Sequence, residues 1–330
     1  MIKLIRAKKI DEKNRYNEGR ISRIVMEEKI KPFLIFVIGL GSMGKRRLRH
    51  LQAIDSSFCI IGIDNRADRR KEAESLFGIK TLDYTSFKNE VSDKKSQAVA
   101  FISTSPLTHN QIINDCLKID LHIFTELNLV SDGYKENISL ANEKGLTLFL
   151  SSTLLYRKEI EKTKSIVNNK DGLAYQYHSG QYLASWHPHE SINDFFVSDK
   201  RTNGIREIMA IDFPFLQEIF SEIKEVQVLT AKNSFLELNF PDTISLNVKH
   251  KNGILGSIML GSITKGGVRD LSIFGKDLLY KLKWEEDMEL AYKREILNFF
   301  ECIKGKAKPK WNFEKDLKLI ALMDKIEGIE

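Results

Sequence analysis

The sequence is poor in cysteine and contains no long hydrophobic run. Its three cysteines, Cys59, Cys116 and Cys302, lie far apart, with no C-x-x-C pair and no Cys/His cluster. This excludes a disulfide-rich secreted domain, predicts no metal site and fits the reducing cytoplasm. No apolar segment approaches the roughly 18 residues that a membrane-spanning helix needs, so no membrane partner is expected.

A uniform excess of charge is also absent. The net charge is +6 over 330 residues, but residues 1–31 hold ten Lys and Arg against five Asp and Glu, which leaves +1 for the rest. A nucleic-acid partner would need a basic surface on the folded part, so none is predicted. Residues 1–31 lack the apolar core of a secretory signal and are expected to form a solvated, partly helical extension.

The composition, 42% hydrophobic and 29% charged residues, is that of a globular protein, and the length suits two domains. Between residues 32 and 152, apolar strands alternate with helices, which predicts a doubly wound parallel sheet of the α/β class. Residues 153–330 contain a series of strand-like segments, among them Phe235–Phe240, and predict an α+β domain with a large, open, mainly antiparallel sheet. The helices predicted there span about 205–221, 287–304 and 313–327.

A glycine-rich loop separates the first predicted strand from the first helix. It reads Gly39-x-Gly41-x-x-Gly44, with Ser42 and Met43 between the last two glycines. Gly39 permits the tight turn, Gly41 lets a diphosphate approach the backbone, and Gly44 allows close packing of helix and strand. The phosphates would lie at the helix N-terminus, where free N–H groups and the helix dipole favour anions. The alternative is that the glycines serve only the turn.

An acidic residue follows the second predicted strand at the spacing that dinucleotide-binding proteins use. Asp64 lies 20 residues after Gly44, where a carboxylate accepts hydrogen bonds from the adenosine ribose, and Asn65 and Arg66 follow it. The carboxylate repels a 2′-phosphate and favours NAD, whereas Arg66 could receive that phosphate, so NADP stays open. A methyltransferase also places an acid here and is a rival interpretation, although it leaves the second sheet unexplained.

Five segments form a pattern that covers nearly the whole chain from residue 33. They are Ile38–Gly44, Ile102–His109, His122–Asn128, Asn203-Gly204 and Tyr292–Lys310. The first resembles the nucleotide loop of one protein family, the second its fourth-strand motif of a Thr-Pro pair and a His, and the third its Glu-Lys-Pro motif. The fourth resembles the paired glycines before that family's substrate-facing helix, and the fifth resembles its C-terminal helix and basic stretch. This is the glucose–fructose oxidoreductase/inositol dehydrogenase (Gfo/Idh/MocA) family.

The resemblance implies a Rossmann domain that binds a nicotinamide dinucleotide, followed by the open-sheet domain, in an enzyme that oxidises or reduces a sugar hydroxyl or carbonyl. It also implies a homodimer or homotetramer formed through the antiparallel sheet. By the same resemblance Thr104, Ser105 and His109 contact the cofactor, and Glu126 contacts the nicotinamide ribose. The alternatives are that His109 only caps its turn and that Glu126 is a plain surface acid.

Two places depart from the family pattern. Leu127 stands where the family usually has its catalytic lysine. Ile208 and Asp212 stand where the family often has an aspartate and then a histidine on the substrate-facing helix. Because leucine cannot transfer a proton, either another residue does so or the protein no longer runs the usual chemistry.

The segment 181–190 is dense in aromatic, imidazole and carboxylate groups. A group whose pKa lies near the working pH is best placed to transfer the proton in place of the lysine. We predict His187 and Tyr182 as catalytic candidates, and the resemblance places Trp186 at the nicotinamide end of the cofactor. The alternative is that Tyr182 and Trp186 are core or interface aromatics and that His187 is solvated.

Three further residues are predicted to bind the substrate. Lys200 and Arg201 precede the substrate-facing helix and would suit a phosphate or carboxylate on a sugar. Asp212 shares a helix face with Ile208 and would meet the substrate if that face lines the cleft. The alternative for Lys200 and Arg201 is that they are ordinary solvated charges.

These observations predict an NAD(P)-dependent oxidoreductase acting on a sugar or a nucleotide-linked or carboxylated sugar derivative, for example in the synthesis of surface polysaccharide. The alternative is an NAD-binding sensor or scaffold of the same fold that has lost catalysis, which Leu127 favours.

Overall fold

The computed structural model describes residues 34–90, 98–186, 196–234, 236 and 238–328. The predicted extension, residues 1–31, and the catalytic candidate His187 lie outside the described residues. No helix in the described part of the chain is long and apolar enough to cross a membrane.

The first half of the described chain forms a parallel sheet with the strand order 3-2-1-4-5-6 that is typical of dinucleotide-binding folds. Its strands are β1 (Leu34–Ile38), β2 (Cys59–Ile63), β3 (Lys80–Leu82), β4 (Ala98–Ile102), β5 (His122–Thr125) and β6 (Leu148–Leu150). Its helices are α1 (Ser42–Ile54), α2 (Ala67–Phe77), α3 (Tyr84–Glu90), α4 (Pro106–Lys118) and α5 (Tyr134–Glu143).

The second half forms a six-stranded sheet with the order 12-11-7-10-9-8. Its neighbouring strands are antiparallel except for β7 and β10, which run parallel. Its strands are β7 (Ala174–Gly180), β8 (Ile223–Ala231), β9 (Thr243–His250), β10 (Leu255–Gly261), β11 (Val268–Gly275) and β12 (Leu278–Lys281). The other helices are α6 (Lys158–Asn168), α7 (Gly204–Phe220), α8 (Met288–Ile303) and α9 (Phe313–Glu327).

The predicted fold class, a doubly wound parallel sheet followed by an open and mainly antiparallel sheet, is confirmed. The parallel strands are buried on both faces, as in the fully buried β4, because helices cover both sides of such a sheet. Strand β7 instead alternates between exposed and buried residues. Its buried Tyr175 and Tyr177 pack against Phe220 and Phe215 of α7, so α7 covers one face of the second sheet.

One predicted strand is wrong. The described residues within Phe235–Phe240 form no strand but a loop between β8 and β9. Leu238 and Phe240 pack there with Leu183 and Val197 in a small apolar cluster. Their alternation therefore reflects burial in a local cluster and not membership of the sheet. The short strand β3 and the helices α3 and α6 were not predicted.

Candidate functional site

Two of the three loop glycines, Gly39 and Gly44, occupy positions that other residues could not take without displacing the backbone. Gly39 has a φ of +92°, and a Cβ there would lie 2.5 Å from the carbonyl oxygen of Ser103. A Cβ on Gly44 would lie 1.8 Å from the carbonyl oxygen of Gly39. The first loop thus packs directly on the start of α1 and on the loop after β4, as the close approach of helix and strand requires.

Gly41 differs because no backbone atom lies against it at the start of α1. A Cβ on Gly41 would meet only the Arg69 side chain, with Nη1 at 3.6 Å. Gly41 is the N-cap of α1, no side chain caps the helix, and its first turn contains no acidic residue. The first-turn N–H groups of α1 are therefore not engaged by a capping or acidic side chain, which fits the binding of a dinucleotide's diphosphate there.

Asp64 lies at the end of β2 and is fixed against the glycine loop. Its Oδ2 accepts a 2.8 Å hydrogen bond from the backbone N–H of Leu40, and its Oδ1 accepts one of 2.8 Å from the N–H of Arg66. The Arg66 guanidinium pairs with the exposed Asp68 at 2.6 Å. The Asn65 Oδ1 accepts from the N–H of Tyr84 at 3.1 Å, at the start of α3. The structure thus brings Asp64 to the glycine loop and pairs the Asn65 side chain with Tyr84, while the contacts of both residues to the cofactor stay predictions.

The predicted cofactor residues of the fourth-strand motif hold their own loop together. His109 is buried, with Nδ1 2.6 Å from Asn128 Oδ1 and Nε2 3.0 Å from the carbonyl oxygen of Thr104. Burial lowers the pKa of His109, so its ring is neutral near pH 7. The Thr104 hydroxyl pairs with that of Thr108 at 2.8 Å, and Ser105 is the N-cap of α4. His109 therefore ties the loop after β4 to the loop after β5.

Glu126, at the carboxyl end of β5, is held by a buried arginine of the nucleotide helix. Arg47 donates to both carboxylate oxygens of Glu126, with Nε at 2.6 Å and Nη2 at 2.9 Å. Its Nη1 donates to Glu295 of α8 at 3.1 Å. Arg47 and Glu295 are fully buried, and burial raises the pKa of Glu295 despite the guanidinium beside it. This network positions Glu126; its contact to the nicotinamide ribose stays a prediction.

Glu207, in the first turn of α7, is a candidate that the sequence analysis missed. Its Oε2 is buried and has no hydrogen-bond partner among the described residues. Burial raises the pKa of Glu207 to about 8. The neighbouring Arg206 donates its Nε to the carbonyl oxygen of Leu129, in the loop after β5, at 2.6 Å. No sequence signal marks Glu207, since a glutamate in the first turn of a helix ordinarily serves the helix dipole.

The aromatic candidates lie just beyond the end of β7. Tyr182 is partly exposed, and its ring centroid lies 5.6 Å from Nζ of Lys265. Trp186 packs against the apolar cluster of Leu183, Val197, Leu238 and Phe240, and its indole N–H is buried without a partner among the described residues. The core alternative thus describes the observed packing of Trp186, while its contact to the cofactor stays a prediction.

The predicted substrate residues do not converge. Arg201 is exposed and makes a bidentate pair with Asp132, both distances being 2.7 Å. Lys200 lines a separate cavity of about 210 Å³ together with Asn203 and residues of the β8–β9 connection. Asp212 is fully buried and lies 3.1 Å from Nε of Arg269 on β11. It therefore meets the second sheet and not Lys200 or Arg201.

Three comparisons place this geometry among known proteins. Residues 33–152 match the model of the Gfo/Idh/MocA oxidoreductase family, which is described as having an NAD-binding Rossmann fold. No curated protein matches the sequence significantly. Many solved structures share the fold at low sequence identity.

Three of these structures illustrate the similarity. A probable dehydrogenase from Thermotoga maritima has a TM-score of 0.76 and 18% identity over 90% of this chain and 96% of its own. A myo-inositol 2-dehydrogenase from Lactobacillus plantarum has a TM-score of 0.75 and 15% identity over 91% of this chain and 97% of its own. The WlbA dehydrogenase from Bordetella pertussis was solved with NADH and UDP-GlcNAcA. It has a TM-score of 0.75 and 13% identity over 91% of this chain and 96% of its own. At these identities the structures show the shared fold alone.

The family match covers the parallel sheet, the glycine loop and Asp64, and the solved structures extend the shared fold over the second sheet. The resemblance inferred from the sequence is confirmed: residues 33–152 match the Gfo/Idh/MocA oxidoreductase family, and the fold of the described chain is that of the solved dehydrogenases.

Proposed function

We propose that this protein is an NAD-dependent oxidoreductase acting on a sugar or a sugar derivative. The observation that carries the proposal is the uncapped start of α1 at Gly41, with the Asp64 carboxylate 2.8 Å from the N–H of Leu40 in the same loop. Anion-binding amides and a ribose-binding acid then meet at one edge of the sheet.

In this proposal the chain's residues bind and orient the cofactor, and NAD, when bound, accepts or supplies the hydride. The first-turn amides of α1 hold the diphosphate, and Asp64 accepts hydrogen bonds from the adenosine ribose. Glu126, held in place by Arg47, accepts from the nicotinamide ribose. The nicotinamide then lies at the carboxyl ends of β4 and β5, where ligands collect in parallel sheets.

The cofactor is NAD and not NADP for an electrostatic reason. Asp64 Oδ2 lies at the glycine loop, where a 2′-phosphate would place a second negative charge beside it. Arg69 Nη1 is 3.9 Å from Asp64 Oδ2, so its positive charge partly offsets that of the carboxylate. Arg66 is paired with Asp68, which reduces its availability to a phosphate.

The sugar substrate is supported by the solved relatives of the same fold. One is named a myo-inositol 2-dehydrogenase, and myo-inositol is a polyol. Another was solved with UDP-GlcNAcA, which is a nucleotide sugar. Proton transfer at the sugar oxygen is assigned to Tyr182 or His187, with Glu207 as a third candidate because its carboxyl group titrates near pH 8. A group of this kind is needed because Leu127 has no proton to give.

Gly41→Ala tests the cofactor site without disturbing the fold. Gly41 has a φ of −71°, and a Cβ there makes only ordinary van der Waals contact. We expect the variant to unfold at the same temperature as the wild type without nucleotide. At 100 times its dissociation constant, NAD should stabilise the wild type by roughly 2.7 kcal/mol. The variant should lose most of that thermal shift because its methyl group occupies the space of the diphosphate.

Two results would contradict the assignment: no thermal shift of the wild type with NAD or NADP, or an undiminished shift in Gly41→Ala. A larger response to NADP than to NAD would contradict only the choice between the two nucleotides.

A second candidate function is an NAD-binding sensor or scaffold without catalysis. Leu127 and Ile208 favour it, since neither can transfer a proton. It predicts an NAD-induced thermal shift together with no change in absorbance at 340 nm for any sugar in a broad panel of polyols, uronates and nucleotide sugars. Turnover of one of these compounds excludes it.

A further inference from the structure

A buried ion pair lies between helix α7 and the second sheet, outside the residues assigned to the cofactor. Asp212 of α7 is fully buried, and its Oδ1 lies 3.1 Å from Nε of Arg269 on β11. The side chain of Arg269 is 29% exposed, so part of it reaches the surface. Burial lowers the pKa of Arg269, but the Asp212 carboxylate and the Tyr177 hydroxyl together raise it by more, and the arginine stays charged.

The polar atoms around this pair have free hydrogen-bonding capacity. Both carboxylate oxygens of Asp212, Nε of Arg269 and the hydroxyl of Tyr177 are buried, and none has an aligned hydrogen-bond partner among the described residues. These atoms lie against one another, with Tyr177 and Asp212 both acting on Arg269, so the cluster is paired internally and its imperfect alignment leaves hydrogen-bonding capacity for a further polar group. No carboxylate other than Asp212 pairs with Arg269 in the described part of the chain.

The pair lies near the end of the second sheet at which β7 and β10 finish and α7 begins. Arg269 is opposite Ser179, one residue before β7 and β10 both end at the paired Gly180 and Gly261. Helix α7 begins at this end, where a Cβ on Gly204 would lie 3.1 Å from Leu183. The N-terminal turn of α7 is bonded in turn to the loop after β5 through Arg206.

The ion pair with Asp212 is made on the Nε side of the Arg269 guanidinium. An arginine that uses Nε for one carboxylate keeps its Nη1 and Nη2 hydrogens for a second, bidentate acceptor. Lys265, four residues before Arg269, adds a second positive charge beside Tyr182. Asp270 follows Arg269 but is exposed on the opposite face of the strand, because successive side chains alternate.

We propose that Arg269 is the residue that recognises an anionic group, a carboxylate or a phosphate, on the substrate, and that Asp212 positions it. The inference rests on the proposed function and narrows its substrate class to acidic sugars. It replaces the pair Lys200 and Arg201, which the sequence analysis assigned to this role. Asp212 then acts through Arg269 and does not touch the sugar.

The test measures binding of matched acidic and neutral sugars, with and without NAD. The probes are glucuronate and glucose, UDP-GlcNAcA and UDP-N-acetylglucosamine, and glucose 6-phosphate, which separates phosphate from carboxylate. The wild type should bind the acidic member of at least one pair about 10- to 100-fold more tightly, the range expected for a charge-assisted hydrogen bond. Arg269→Lys, which keeps the charge but not the fork, should lose most of that preference.

A second variant separates recognition from folding. Removing Arg269 alone leaves Asp212 as a buried, unpaired charge, which destabilises a fold strongly. The double variant Arg269→Gln/Asp212→Asn removes both charges and should keep the NAD response while losing the preference for acidic sugars. Arg294→Gln is the control, since Arg294 is similarly exposed, at 32%, and pairs with Glu286; it should keep the preference.

The proposal is overturned if the wild type binds no acidic probe better than its neutral partner. It is also overturned if Arg269→Lys and the folded double variant keep that preference. Because the NAD response is recorded in the same titrations, a protein that binds NAD but shows no acid preference contradicts this inference alone. A protein that shows no NAD response contradicts the proposed function.

Discussion

At the scale of single residues, the buried carboxyl group of Glu207 makes the stability of the fold depend on pH. Glu207 Oε2 lies buried without a partner among the described residues, and burial raises the pKa of Glu207 to about 8. In the unfolded chain the same group titrates near its ordinary value of about 4.3. The folded protein therefore retains a proton between these two values that the unfolded chain has released.

This difference predicts that stability falls as the pH rises from about 4.5 to 8. Each unit of pH in that interval costs up to about 1.4 kcal/mol, and less if solvent reaches the partly exposed side chain. Glu207→Gln removes the titrating group, so the variant should be more stable than the wild type at pH 8 and show a flatter profile. Urea unfolding at pH 5, 6.5 and 8 measures this.

The exposed Glu285→Gln is the control for the loss of one negative charge and should leave the profile unchanged. Parallel wild-type and Glu207→Gln profiles would show that Glu207 is ionised throughout this range, and would remove it from the candidates for proton transfer.

At the scale of elements, a buried network joins the nucleotide helix to the C-terminal part of the chain. Arg47 of α1 bonds Glu126 after β5 and Glu295 of α8, and its guanidinium lies 4.5 Å from the Phe124 ring. Glu295 also accepts from the N–H of Ser152 at 2.7 Å. The Arg47 guanidinium thus connects α1, the loop after β5 and α8, which bind or flank the proposed nicotinamide site.

Arg47→Met should destabilise the fold by about 3–5 kcal/mol, because it leaves two buried carboxylates without their counter-charge. Lys45→Met is the matched control on the same helix: Lys45 pairs with the partly exposed Glu72 at 2.6 Å, and its loss should cost no more than about 1 kcal/mol. Urea unfolding of both variants gives the comparison. Equal losses would show that the network does not depend on Arg47 for its stability.

The elements that the sequence predicted correctly are those whose signals are local. Buried apolar runs and the glycines at 39, 41 and 44 identify the parallel sheet and its first helix, since backbone geometry and burial act within a few residues. The arginine of the network was not predicted, because Arg47 and Glu295 are 248 residues apart and meet only in the fold. The pairing of Arg269 with Asp212 was not predicted for the same reason. The strand-like alternation within Phe235–Phe240 comes from Leu236, Leu238 and Phe240, which pack in a local apolar cluster.

At the scale of the whole molecule, the second sheet has one covered and one open face. Helix α7 covers the face that carries Tyr175 and Tyr177, whereas the opposite face carries large apolar side chains that remain exposed. These are Leu229 (76%), Leu255 (57%), Met259 (41%), Phe274 (37%) and Leu279 (70%). They come from four strands of one sheet, and several large exposed apolar side chains on one face mark an interaction site.

We expect this open face to bind a second copy of the chain in a homodimer or homotetramer. A two-fold axis brings the same surface of both copies together, and the central strand β10 contributes Leu255, Ser257 and Met259, none of which carries a charge that would repel its symmetry mate.

Leu255→Lys/Met259→Lys should therefore convert the oligomer to a monomer by placing like charges at the centre of the contact. Light scattering after size-exclusion chromatography measures the mass directly. Leu76→Lys, at a similarly exposed leucine on α2, should leave the mass unchanged. A wild-type protein that elutes as a monomer, or an oligomer that survives the double substitution, would show that the open face is not the subunit contact.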